Sequence, residues 1–130
     1  MTQRASGESG RKPEVLDIRD PREWEDWLQR NHETSPQVWL RIPNKNAPEP
    51  GIGYGTAVEI ALCFGWIDSM MRKYDAVSRI QRFSPRKPRS PWSASNVERA
   101  SRLLAEGRMR PAGLREIEAA RGDGRWPRQT

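Results

Sequence analysis

The sequence predicts an α+β domain: a small antiparallel sheet packed against a buried central helix, with two helices at the C-terminal end. Three observations carry that prediction. Caps, prolines and glycines bracket four stretches with helical spacing. Strand-like runs rich in β-branched and aromatic residues fall between these helical stretches. One of the helical stretches is apolar almost all round, as a helix buried on most sides must be.

Taken in order, residues 1–13 are polar, basic and contain Gly and Ser, so a flexible tail is expected there. VLDI (15–18) reads as a short strand. DPREWEDWLQRNH follows as a helix, with Asp20 as N-cap, Pro21 at the first helical position and acids in the first turn. Trp24, Trp27 and Leu28 share one face of it and read as core. Val38–Ile42 reads as a strand ended by Pro43, and the Pro- and Gly-dense NKNAPEPGIGYG as a loop.

TAVEIALCFG is the helix expected to be buried, with Thr56 and Glu59 as a capping box and Gly65 as terminator. Two strands, roughly 66–73 and 79–83, are expected around a turn at Tyr74–Ser78, with Met70 and Met71 packing from the first of them. SPRKPRSPW carries three prolines in nine residues and is irregular. SASNVERASRLLAEG is a helix with Ser95 and Glu98 as capping box and Gly107 as stop. RPAGLREIEAARG is the last, with Pro111 near its start and Gly122 at its end. The body of the domain is thus 14–126, with 127–130 expected to fray, although Trp126 has the chance to dock.

At 130 residues the chain has the length of one domain. Its net charge is +6, and it is distributed unevenly. From Arg72 to Arg110 there are 11 Lys/Arg against 3 Asp/Glu, a net of +8; from Pro13 to Met71 there are 5 against 10, a net of −5. Such a balance favours anionic partners and says nothing about fold. The single cysteine, Cys63, excludes an internal disulfide and fits a reducing compartment. With no apolar signal-like segment and no long apolar run, a cytoplasmic location without a membrane span is the expectation.

The succession WL (27–28), VWL (38–40), Y…AVEIALCFGWID (54–68), RFSPRKPRSPWS..N (82–96) and EGRMRPAGL (106–114) resembles the bacteriocin-protection YdeI/OmpD-associated family. The likeness spans about residues 14–126, and its two longest motifs together are specific. Ser69 and Pro91 stand where the family pattern has Gly and Asn. The resemblance implies a role in withstanding toxic peptides or related natural products; it implies no chemistry for named residues.

The residues themselves exclude some chemistry and leave other chemistry open. Cys63 lies mid-helix in an apolar run, far in sequence from the only histidine, His32, and reads as a buried structural thiol. One Cys and one His do not make a zinc set, and no cofactor motif is present. Asp68 follows the buried helix at a strand start, where it suits an ion pair, a ligand contact or an acid/base role. Arg82, Arg86, Lys87, Arg89 and Trp92 form a proline-stiffened basic loop suited to forked anion contacts and stacking. Tyr54 and Trp66 are expected to line the same pocket, walled by the central helix and the GWID turn and gated by the Arg82–Trp92 loop. The reading is a binding or protection protein for an anionic or polar-aromatic small molecule or peptide. The alternatives are a nucleic-acid-associated basic module and an enzyme using Asp68.

Overall fold

In the computed structural model, which describes residues 14–127, the chain runs β1 (Val15–Leu16), α1 (Pro21–Asn31), β2 (Val38–Pro43), α2 (Tyr54–Cys63), β3 (Trp66–Asp75), β4 (Ser78–Pro85), α3 (Ala94–Ala105) and α4 (Pro111–Gly122). This is an α+β architecture. The basic tail expected at 1–13 lies outside the described residues, as does the fraying end apart from Pro127.

The four strands form one sheet in the order β1-β2-β4-β3. The β2–β4 and β3–β4 ladders are antiparallel, and β1 joins β2 in parallel, so the sheet is mixed. The parallel pair follows from α1, which carries the chain back across the sheet before β2 begins. The β3–β4 hairpin turns at Ala76–Val77. There the Asp75 carboxylate accepts from the Val77 N–H (3.0 Å) and the Ser78 hydroxyl (2.7 Å), a side-chain turn that sets the register. These bonds hold the Asp75 carboxyl below its ordinary pKa.

Asp20 caps α1 as its position predicts, and Glu23 completes a capping box with it. The Trp24–Leu28 stripe is buried, with Trp27 packed at its margin. Trp24 lies 5.2 Å from Phe83 of β4 and 5.7 Å from Trp27, which meets Trp66 of β3 edge-on at 5.7 Å. The two buried indoles also find acceptors: Trp24 donates to the Ala57 carbonyl (3.0 Å) and Trp66 to that of His32 (3.2 Å).

Six of the ten residues of α2 are buried, and the helix packs against α1, α3, α4 and β3. Its last three carbonyls are answered. Ala61 and Leu62 accept from Phe64 and Gly65, and Cys63 accepts from the backbone of Arg110 (3.0 Å). Gly65 ends the helix at φ +76°, where a side chain would be strained and would also press on Ala112. Gly113 in the first turn of α4 is buried against the same helix end.

Three local expectations differ. The second helix begins two residues before Thr56, so Thr56 and Glu59 form no capping box, and Glu59 pairs with Arg102 of α3 instead. The cap of α3 is Ser93 and not Ser95, its hydroxyl accepting from the Asn96 N–H (3.1 Å). Met70 and Met71 are exposed (43% and 57%), because β3 is an edge strand and its register shifts between Asp68 and Met71.

A Cβ on Gly113 would collide with the Cys63 carbonyl and stand 2.7 Å from that of Leu62. Gly113→Ala should therefore destabilise by about 1–3 kcal/mol in urea unfolding, the usual cost of overpacking. Gly122→Ala, where nothing stands near the added methyl, should stay within about 0.5 kcal/mol of the parent.

Candidate functional site

The start of α2 differs from its end. Gly53 is its N-cap and supplies no side-chain hydrogen bond. A Cβ on Gly53 or Gly55 would meet nothing within 4 Å. The segment GIGYG therefore opens a helix whose first N–H groups lack a side-chain cap and whose flank is unobstructed. A helix start in this condition carries partial positive charge.

Tyr54 is the first residue of that helix. Its hydroxyl donates to Asp68 Oδ2 at 2.6 Å, joining α2 to the beginning of β3. Asp68 is followed by the register shift, where the Gln81 amide bonds the Met70 carbonyl (3.1 Å) and so holds the irregular backbone. Burial, then the bond to Asp68 and its charge, push the Tyr54 hydroxyl up to about 12, while the charges of Arg99 and Arg79 act in the opposite direction. The guanidiniums behind that opposing effect belong to α3 and β4. Arg99 bonds the Asn96 side chain (3.0 Å). Arg79 Nε is buried with no hydrogen-bond partner. Neither arginine has a carboxylate partner among the described residues.

Of the eight residues singled out in the sequence, Tyr54 and Asp68 come together here. The others are placed differently. Trp66 is 1% exposed, in the aromatic core with its indole N–H used, and offers a ligand no surface. Arg82 donates to the Ser69 hydroxyl (3.0 Å), a contact that depends on the serine at that position. Arg86 is 6% exposed: it donates to the carbonyls of Ser90 (3.2 Å) and Pro91 (2.8 Å) and stacks 3.9 Å from the Trp92 ring. Its burial lowers the guanidinium pKa. Trp92 in turn meets Trp126 edge-on at 5.1 Å, and Arg125 bonds the Ser90 carbonyl (2.8 Å). The proline-rich segment therefore fastens the region around Arg125 and Trp126 to the body. Lys87 and Arg89 remain exposed on it, Arg89 at φ +66°.

Arg79 and Arg99 escaped the sequence reading. Arg79 was indistinguishable from other strand arginines, and Arg99 from the polar side of an amphipathic helix. Cys63 is buried, and burial pushes its thiol up to about 11. Among the described residues no group of three or more His, Cys, Asp or Glu is placed to hold a metal ion.

The fold and this polar cluster define a small α+β domain in which Tyr54 and Asp68 join the side-chain-uncapped start of α2 to β3. Residues 16–116 match the family described as Domain of unknown function (DUF8412), and the chain belongs to that family. No curated protein and no solved structure matches it.

Two predictions follow from the geometry. The neutral Tyr54 phenol is favoured by folding, so its contribution is complete below the ordinary tyrosine value of 10.0 and is lost as the pH rises toward about 12. Tyr54→Phe should lower stability by about 1 kcal/mol near neutral pH, and the gap from the parent should narrow above pH 10. Urea unfolding at a series of pH values measures this; a gap independent of pH would contradict it. Arg86→Ala should lower stability by about 2 kcal/mol, since it orphans two carbonyls and removes a stacked cation, whereas Lys87→Ala should be nearly silent.

Proposed function

We propose that the chain is a binding protein that holds an anionic, polar-aromatic small molecule or peptide at the uncapped start of α2, between Tyr54, Asp68, Arg79 and Arg99. The observation that supports this reading is the 2.6 Å contact of the Tyr54 hydroxyl with Asp68 at the start of α2, together with two arginines, Arg79 and Arg99, that have no carboxylate partner among the described residues. An anionic group would take up the open N–H groups of the helix and face a net charge of +1 from two arginines and Asp68. Asp68 leaves an acceptor for an N–H or O–H on the same ligand. A carboxylate beside an N–H is the pattern of a peptide terminus, and the resemblance to bacteriocin-protection proteins agrees with sequestration of such a molecule. A phenol that keeps its proton up to about pH 12 suits a hydrogen-bond donor better than a base, which favours binding over catalysis at this pair.

Isothermal titration with N-acetylphenylalanine and phenyl phosphate as probes tests the site. Arg79→Gln combined with Arg99→Gln should weaken binding at least tenfold, about 1.4 kcal/mol, while Lys87→Ala with Arg89→Ala should leave it unchanged. Equal affinity in the Arg79/Arg99 variant removes the reading. Oligonucleotide binding that collapses between about 50 and 200 mM salt and needs Lys87 and Arg89 would replace it with the nucleic-acid module.

A further inference from the structure

A cavity of about 380 Å³ lies where α1, the end of α2 and the α3–α4 connection meet. It is separate from the start of α2 and owes nothing to the preceding proposal. Ile60, Phe64 and Met109 give it apolar walls; Glu25, Arg108 and Arg110 give it charge. Its volume falls at the small end of the range for ligand pockets, about 300–1,000 Å³.

The two arginines differ in what they have left to offer. Arg110 is committed: it bonds Glu25 (2.8 Å) and Gln29 (3.3 Å), lies over the Phe64 ring at 5.3 Å, and its backbone N–H holds the Cys63 carbonyl. With Glu25 it forms a wall of no net charge. Among the described residues the Arg108 side chain has only Glu106, at 3.4 Å, a carboxylate it shares with Arg102. Its backbone is nevertheless fixed. Gly107 turns the chain at φ +71°, and the Arg108 N–H donates to the Leu103 carbonyl (3.0 Å). A cation on a fixed stretch of backbone thus lines the same cavity as three apolar side chains, and the charges lining the cavity sum to +1.

We infer that this cavity binds a small monocarboxylic acid, its apolar body against Ile60, Phe64 and Met109 and its carboxylate on the Arg108 guanidinium. The chain holds four methionines, so 13C-methyl labelling of methionine followed by NMR reports on the cavity through Met109, with the exposed Met70 and Met71 as internal controls. Titration with hexanoate should move the Met109 methyl saturably at millimolar concentration, and 1-hexanol should do so at least tenfold more weakly. Arg108→Gln should weaken the hexanoate response at least tenfold with the unfolding midpoint unchanged, and Arg79→Gln with Arg99→Gln should leave it intact. The inference is overturned if Met109 does not respond, if the acid and the alcohol act alike, or if Arg108→Gln binds hexanoate as the parent does.

Discussion

The constraint on which the rest of the structure depends is the buried C-terminal end of α2. A helix end leaves carbonyls without intrahelical partners, and burial removes water as a substitute. Residues Ala61 to Trp66 are all buried, so each of these groups needs an answer from the protein. Gly65 supplies one by turning left-handed, and the Arg110 backbone supplies another from the start of α4. The Gly65 carbonyl itself accepts from the Arg86 N–H (3.0 Å), so the proline-rich segment is drawn to the same point. Two segments distant in sequence are thereby fixed to one helix end, and Gly113 is small because α4 must approach that end closely.

From this junction the second half of the molecule follows. With Arg86 anchored by its backbone, its side chain reaches the Ser90 and Pro91 carbonyls and stacks on Trp92. Trp92 then belongs to both apolar clusters, the larger one around α1 and α2 and the smaller one of Val97, Ala100, Ile117, Ala120 and Trp126. A loop of prolines, arginine and tryptophan looks like recognition chemistry in sequence because the same residue types serve both purposes. A buried guanidinium stacked on an indole is as effective at fastening backbone carbonyls as at gripping a ligand.

This explains which features were legible. Elements with local causes were read closely: Asp20 and Pro21 starting α1, the Trp24–Leu28 stripe, Gly65 and Gly107 as stops, Pro111 opening α4. Features decided by tertiary contacts were not. Glu59 looked like half of a capping box and instead pairs across to Arg102, 43 residues away. The parallel β1–β2 pairing needs the path of α1, and the exposure of Met70 and Met71 needs the knowledge that β3 is an edge. In the candidate site Tyr54 and Asp68 were noticed singly, but their partners Arg79 and Arg99 come from two later elements, and nothing local marks them.

The charge asymmetry of the chain resolves in the same way. A net of +8 between Arg72 and Arg110 suggests a continuous basic surface only while the two halves are read apart. In the fold the halves neutralise one another: Arg102 pairs with Glu59, and Arg110 with Glu25, each an acid from the opposite half of the sequence. Arg108 pairs with Glu106 nearby, and Arg86 is withdrawn into the interior. Phosphate-backbone recognition needs many exposed cations aligned on one face, and these pairings remove several of those the sequence offers. Arg79 and Arg99 retain uncompensated charge, beside an open helix start and a proton-holding tyrosine. A few cations around one polar contact would suit a ligand with one anionic group better than a polyanion, which is the ground for proposing a small molecule or a peptide terminus rather than a nucleic acid.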